Sequence, residues 1–311
     1  MGGAGRRPAG GALDVRLLLL GRRTDGPVLG MAARSESGVS TDCPRAERLE
    51  RPRRREREES RVTHTNMSTE PSARLGDVQI YAKDAATLRP GCWLGDAAIA
   101  YVFESLSRRV AAANASEEKV LLLEPSITFT AAMVGEAGPL REMLSVPHGG
   151  GSVSLAQQLA VADLVLFPLN NNDDASASEG GGHWSLLAFR RRSEGRGACF
   201  EHYDSCGGAN APIAKVVTKA FAPLLLGQTS AKVQLVSMGE STPQQANGFD
   251  CGVYVLAMAE ILCLPPSGEA APAPSESVTS ALRGLTPAAI TEKRLAWHEY
   301  LTSAVAENAR T

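Results

Sequence analysis

No apolar run in this sequence is long enough to cross a bilayer. The two longest, Val161–Leu169 and Cys251–Leu264, are interrupted by Asp163 and Glu260. Neither reaches the roughly 18–20 apolar residues that a membrane span needs, so a soluble protein without a membrane partner is expected. There is no basic excess either. The formal net charge is -2 and the pI about 6.3, which leaves no global electrostatic case for a nucleic-acid partner. The six cysteines contain no C-x-x-C pair. They are too sparse for a disulfide scaffold and too scattered for a structural metal site, and they read as thiols of a reduced compartment, cytoplasm and/or nucleus. Four consecutive leucines, Leu17–Leu20, lie between arginines, too short a core for a secretory signal.

Residues 1–70 are rich in Gly, Arg, Ser and Glu and poor in aromatics. Such a composition buries too little apolar surface to offset ordering entropy, so a disordered tail is expected there. The arginines of Arg51–Arg57 interleave with glutamates and read as a solvated mixed-charge run.

From 76 to 308 the pattern is that of one folded domain. Ile99, Val102, Phe103, Leu106 and Val110 recur at helical spacing, with Asp96 positioned as the N-cap. Lys119–Leu123 and Leu164–Leu169 read as strands, separated by a helical stretch at Ser126–Val134. His183–Arg190 and Ala198–Ser205 read as a β-hairpin turning at Ser193–Gly195. Pro212–Leu226 is amphipathic, Lys232–Ser237 is a strand, Asp250–Leu264 an apolar helix, Pro265–Ser277 a loop, and Pro287–Ala306 a final helix. Helices mixed with an antiparallel hairpin make the class α+β.

Three short segments carry chemistry: GHWS at Gly182–Ser185, HYDS at His202–Ser205, and PQQANGFDCG at Pro243–Gly252. A hairpin turning near Ser193–Glu194 places His183 opposite Asp204. A carboxylate so placed fixes the imidazole tautomer and raises its basicity. Cys251 follows Asp250, a favourable N-cap, and opens an apolar helix. A thiol in a first helical turn feels the positive end of the dipole, and a neighbouring imidazole favours its thiolate. Gln245 precedes it across a Gly-containing loop, where its amide and the Cys251 N–H could hold an oxyanion. His202 is the one rival base. Nucleophile, base, orienter and oxyanion donor together point to covalent acyl chemistry.

The segments GGHWSLLAF, EHYDS and PQQANGFDCGVYVLAMAE resemble the ubiquitin-like-protease, or sentrin-specific protease, family. CWLGDAAIAYVFESL is similar to that family's first helix, with Gly95 where Asn is usual, and LTPAAITEKRLAWHEYL resembles the C-terminal stretch of its deneddylase branch. The resemblance implies a papain-like cysteine protease fold with a central, mostly antiparallel sheet flanked by helices. It implies His183 as base, Asp204 as its orienter, Cys251 as nucleophile and Gln245 as oxyanion donor. It further implies Trp93 and Trp184 as walls of a tunnel for a modifier's Gly-Gly tail, since only glycine lacks the side chain that two indoles would exclude. Asp96 is the candidate partner for an arginine in such a tail. No metal or organic cofactor is implied. The expected partner is a ubiquitin-like modifier, Nedd-type before SUMO-type, with conjugates such as cullin-type targets, acted on by a monomer. A Cys-His-Asp acetyltransferase and an inactive modifier-binding module are the rival readings.

Overall fold

The computed structural model describes residues 72–113, 118–147, 152–174, 181–191, 197–227, 233–264 and 274–309. The expected tail at 1–70, the hairpin turn at Ser193–Gly195 and His148 lie outside the described residues. The ordered fold starts ahead of Gly76, with a two-stranded antiparallel ribbon of β1 (Ser72–Leu75) and β2 (Val78–Tyr81). Gly76 supplies the positive φ of +59° that their tight turn requires. Two helices follow, α1 (Ala82–Ala86) and α2 (Asp96–Ala113).

The main sheet has the order β3 (Val120–Leu122), β4 (Leu164–Asn170), β5 (Trp184–Arg190), β6 (Cys199–Tyr203), β7 (Gln234–Ser237). Its two inner pairings are antiparallel and its two outer pairings are parallel. The sheet is therefore mixed rather than mostly antiparallel. The reason is connectivity. The helices α3 (Pro125–Val134), α4 (Ala137–Leu144) and α5 (Leu155–Val161) carry the chain from β3 to β4, and α6 (Ala211–Leu226) carries it from β6 to β7. Helical crossovers of this kind return a strand parallel to its neighbour.

Side chains alternate across the sheet and divide the core in two. Leu164, Leu166, Trp184, Leu186 and Ala188 join the core formed with α2, α7 (Cys251–Cys263) and α9 (Pro287–Asn308). Val165, Phe167, Leu187, Phe189 and Phe200 join the core under α3–α6. Pro168 sits inside β4 even though proline cannot donate to a ladder. The β3 pairing ends opposite Leu166, so this half of β4 has one free edge. Between α7 and α9 lies α8 (Pro274–Arg283), which starts inside the stretch expected to be a loop. Among the described residues no helix is long and apolar enough to cross a membrane. Cys92, Cys199, Cys251 and Cys263 form no disulfide.

Candidate active site

His183 immediately precedes β5, and Asp204 immediately follows β6. The strands pair Leu186 with Tyr203 and Leu187 with His202. Extended by the same step, this register sets Asp204 against Ser185 rather than His183. The expected register is thus displaced by two residues. A one-residue slip would have sent the two side chains to opposite faces, but a two-residue slip keeps them on one face as diagonal neighbours. His183 Nε2 accordingly lies 2.7 Å from Asp204 Oδ1, with both side chains buried. The other ring nitrogen is left for a different partner, and Cys251 is near enough to raise the proton affinity of the imidazole.

The carboxylate is held from several sides. Cys206 N–H donates to Asp204 Oδ1 at 2.8 Å, and Asn210 N–H donates to Oδ2 at 2.9 Å. Asn210 opens α6, and its side-chain amide donates to the carbonyls of His183 and Leu169. Base and orienter are therefore tied to one helix start. Burial favours a neutral Asp204, yet the His183 hydrogen bond and charge and the two backbone N–H groups overcome it and hold the carboxyl below its ordinary value. For His183, burial works against the charged ring. The hydrogen bonds and charges of Asp204 and Cys251 prevail and lift it from 6.5 to about 9. The charged form of the ring is thereby favoured at neutral pH. His202, the rival base, is pushed the other way by burial and by the charge of His183, only partly offset by Asp204. Its Nε2 faces Ser185 Oγ at 3.0 Å.

Cys251 is the first residue of α7 and is buried. In a helix's first turn its N–H has no intrahelical acceptor. Asp250 occupies the N-cap position but makes no side-chain cap bond. Its carboxylate is taken by Arg294 Nε at 2.8 Å and Asn247 Nδ2 at 2.7 Å instead. Gln245 is buried, and its amide is oriented at both ends. Ser205 Oγ donates to Oε1 at 2.8 Å, and Nε2 donates to the Asn247 carbonyl at 2.6 Å. One N–H of that amide remains for a ligand.

The two tryptophans meet the segment that leads into α2. Trp184 is buried and donates from Nε1 to the Leu94 carbonyl at 3.0 Å. Trp93 is 49% exposed, and its indole lies against Gly182, where a Cβ would stand 3.5 Å from Cη2. Leu94 packs against Gly252, where a Cβ would come within 2.8 Å of the Leu94 Cβ. The glycine after the nucleophile candidate is thus required by close approach. Asp96 is exposed and is the first residue of α2. It is not the N-cap: the Gly95 carbonyl accepts the Ile99 N–H.

A thiol at a helix start, an imidazole whose proton affinity that thiol raises, a carboxylate behind the imidazole and an oriented amide are the parts of a cysteine hydrolase. The family model for the Ulp1 protease family, C-terminal catalytic domain, matches residues 93–271, more than half of the chain. The chain belongs to the Ulp1 protease family. It is similar to the probable sentrin-specific protease 8 of Dictyostelium discoideum, 33% identical over 190 residues that cover 60% of this chain and 72% of the relative. It is 29% identical to NEDD8-specific protease 1 of Arabidopsis thaliana over 187 residues, 60% of this chain and 73% of that one. Among solved structures it resembles the C-terminal Ulp1 protease domain in complex with SMT3, the yeast ortholog of SUMO, at 18% identity with a TM-score of 0.48, covering 78% of this chain and 91% of that chain. The family is one of cysteine proteases, and nothing in the match supports the acetyltransferase reading.

The domain also contains supporting groups to which the motif reading assigned no role. Asn210, Ser205 and Asn247 each hold a motif residue in place, and Ser205 and Asn247 lie within the quoted motifs themselves. A short polar residue at a turn or helix start is the signal that could have found Asn210. Arg294 lies beyond the matched span, on α9.

Proposed function

We propose that this protein hydrolyses the peptide or isopeptide bond after the C-terminal Gly-Gly of a ubiquitin-like modifier, a Nedd-type modifier in preference to a SUMO-type one. The observation that carries the reading is the contact series Asp204–His183–Cys251 at the start of α7. Half-exposed Trp93 lies against Gly182, directly before His183.

In this reading the Cys251 thiolate attacks the carbonyl carbon of the modifier's last glycine. The oxyanion is held by the Cys251 N–H and by the Gln245 N–H that Asn247 leaves free. Collapse breaks the C–N bond, and the His183 imidazolium passes its proton to the leaving amine. A thioester remains on Cys251. His183, now neutral, removes a proton from the attacking water, and the second collapse releases the modifier's carboxylate and restores the pair. Asp204 keeps the imidazole oriented throughout. The reading assigns Trp93 and Trp184 to the walls of the passage for the Gly-Gly tail, and their contacts with Gly182 and Leu94 support it. The Nedd-type preference is supported by the C-terminal stretch LTPAAITEKRLAW, by Asp96 and by relatives named NEDD8-specific proteases. The proposal extends to conjugates such as cullin-type proteins, to action as a monomer, and to a location in cytoplasm, nucleus or both.

Cleavage of two precursors at matched concentration tests the reading. The Nedd-type precursor is expected to be processed and the SUMO-type precursor to be a poor substrate. Processing of the SUMO-type precursor alone would reverse the preference, and processing of neither would remove the proposal.

A further inference from the structure

Arg294 is 2% exposed, and its charge is satisfied by groups from two distant segments. Nε donates to Asp250 Oδ1 at 2.8 Å and Nη2 to the Phe249 carbonyl at 2.9 Å. Nη1 donates to the carbonyls of Arg89 at 3.1 Å and Thr87 at 3.4 Å. Phe249 and Asp250 directly precede Cys251. Arg89 lies just ahead of Cys92 and Trp93, and its carbonyl also accepts the Cys92 N–H at 3.1 Å. The connections continue on the other side. Asn247 Oδ1 accepts the N–H groups of Phe249 and Asp250, and the Asn247 carbonyl accepts from Gln245. One guanidinium thus closes a continuous polar path from Gln245 to the peptide that carries Trp93. Leu94 against Gly252 is the apolar counterpart of this link.

Burying a charge pair costs several kcal/mol in desolvation, and an apolar pair of like volume often serves stability as well or better. Stability alone is therefore a weak account of Arg294. Two of its acceptors directly precede the nucleophile, and the other two belong to the turn after α1 that leads toward Trp93.

We propose that Arg294 is a positioning residue for the reaction: from α9 it sets the start of the Cys251 helix against the segment that bears Trp93. The C-terminal helix thereby completes the active site from outside the three segments that carry the catalytic residues. This rests on the roles proposed for Cys251 and Trp93.

The test compares two reagents that reach the same sulfur. Iodoacetamide alkylation, read at the Cys251 peptide by mass spectrometry because exposed Cys92 also reacts, reports the thiol's own reactivity, whereas a Nedd-type modifier with a C-terminal electrophile also reports its placement against the tail cleft. Arg294→Ala strands the Asp250 carboxylate and risks misfolding, so the informative variant is the charge-neutral pair Asp250→Asn with Arg294→Met. Rates are taken per folded molecule, with folding followed by circular dichroism. Misplacement of a reacting group by about 1 Å can cost on the order of a hundredfold. The double variant is therefore expected to lose at least tenfold in modifier-probe labelling while alkylation by iodoacetamide changes by less than about threefold. Arg294→Lys, which keeps the Asp250 pair without the planar fork, should fall between the double variant and the parent. Equal loss with both reagents, or modifier labelling within about twofold of the parent, would show that Arg294 only supports the fold. Absence of labelling of the parent by the modifier probe would instead count against the proposed function itself.

Discussion

Replacing Asp204 by Asn keeps the shape of the orienter and removes its charge. In the parent, burial lowers the affinity of His183 for a proton, and the bonds and charges of Asp204 and Cys251 raise it from 6.5 to about 9. At roughly 1.4 kcal/mol per pH unit, that net rise corresponds to about 3 kcal/mol favouring the imidazolium. Asp204 supplies the first of the raising contributions, through a buried contact of 2.7 Å. In Asp204→Asn the desolvation remains while both contributions of Asp204 to the compensation are gone, so the His183 ring should lose its proton at a lower pH than in the parent. The thiolate at Cys251 then loses its cationic partner. If the full energy bears on thiolate formation, cleavage falls by about a hundredfold, since 1.4 kcal/mol is a factor of ten. The assay is the pH dependence of Cys251 alkylation by iodoacetamide, followed beside precursor cleavage. The parent's imidazolium-dependent reactivity should persist to about pH 9. In the variant it should be lost well below that. An unchanged profile with unchanged cleavage would refute the role given to the carboxylate.

Other outcomes follow from the same contacts. His183→Ala should lose several orders of magnitude in cleavage, as deletion of a general base does, whereas His202→Ala should retain the chemistry because His202 faces only Ser185; steady-state kinetics of the two variants distinguishes them. Asp96→Asn should weaken cleavage of an Arg-Gly-Gly tail, and, Asp96 being an exposed first-turn residue, should lower folding stability by only a few tenths to about 1 kcal/mol of dipole stabilisation; undiminished activity would reduce Asp96 to a helix-end charge. The Asp204–His183 pair should also contribute to folding stability with a definite pH dependence. Because the folded-state value for His183 lies above its ordinary 6.5, this contribution is complete below about 6.5 and fades as pH rises through about 9; chemical denaturation across that range should show the decline in the parent and not in His183→Ala.

The parts of the site that depend on local pattern were legible in the chain itself. An apolar helix opening on Asp-Cys-Gly, a His-Trp-Ser strand entry and a Tyr-Asp-Ser strand exit are short-range features, and the structure brings His183, Asp204 and Cys251 together. The hairpin survived a wrong register because a slip of two residues preserves the face. Long-range pairing was not legible. Asp250 looks like a cap from its neighbours, but its carboxylate is claimed by Arg294, a residue from another helix. Asp96 looks like a cap because helix starts are uncertain by a residue or two, and Gly95 holds that place. The outer parallel pairing of β3 with β4 follows from a crossover whose short helices α4 and α5 have too few turns to show a period. The Ser154–Gln157 capping box, with its reciprocal bonds, was the visible signal for α5.

The central claim is that Cys251 is the atom donor of the covalent step. It is tested most directly by treating the full chain with a Nedd-type modifier bearing a C-terminal electrophile and locating the adduct by mass spectrometry. The account predicts a single adduct on Cys251, lost in Cys251→Ser while noncovalent modifier binding persists. An adduct on another cysteine, or one that survives Cys251→Ser, would contradict it.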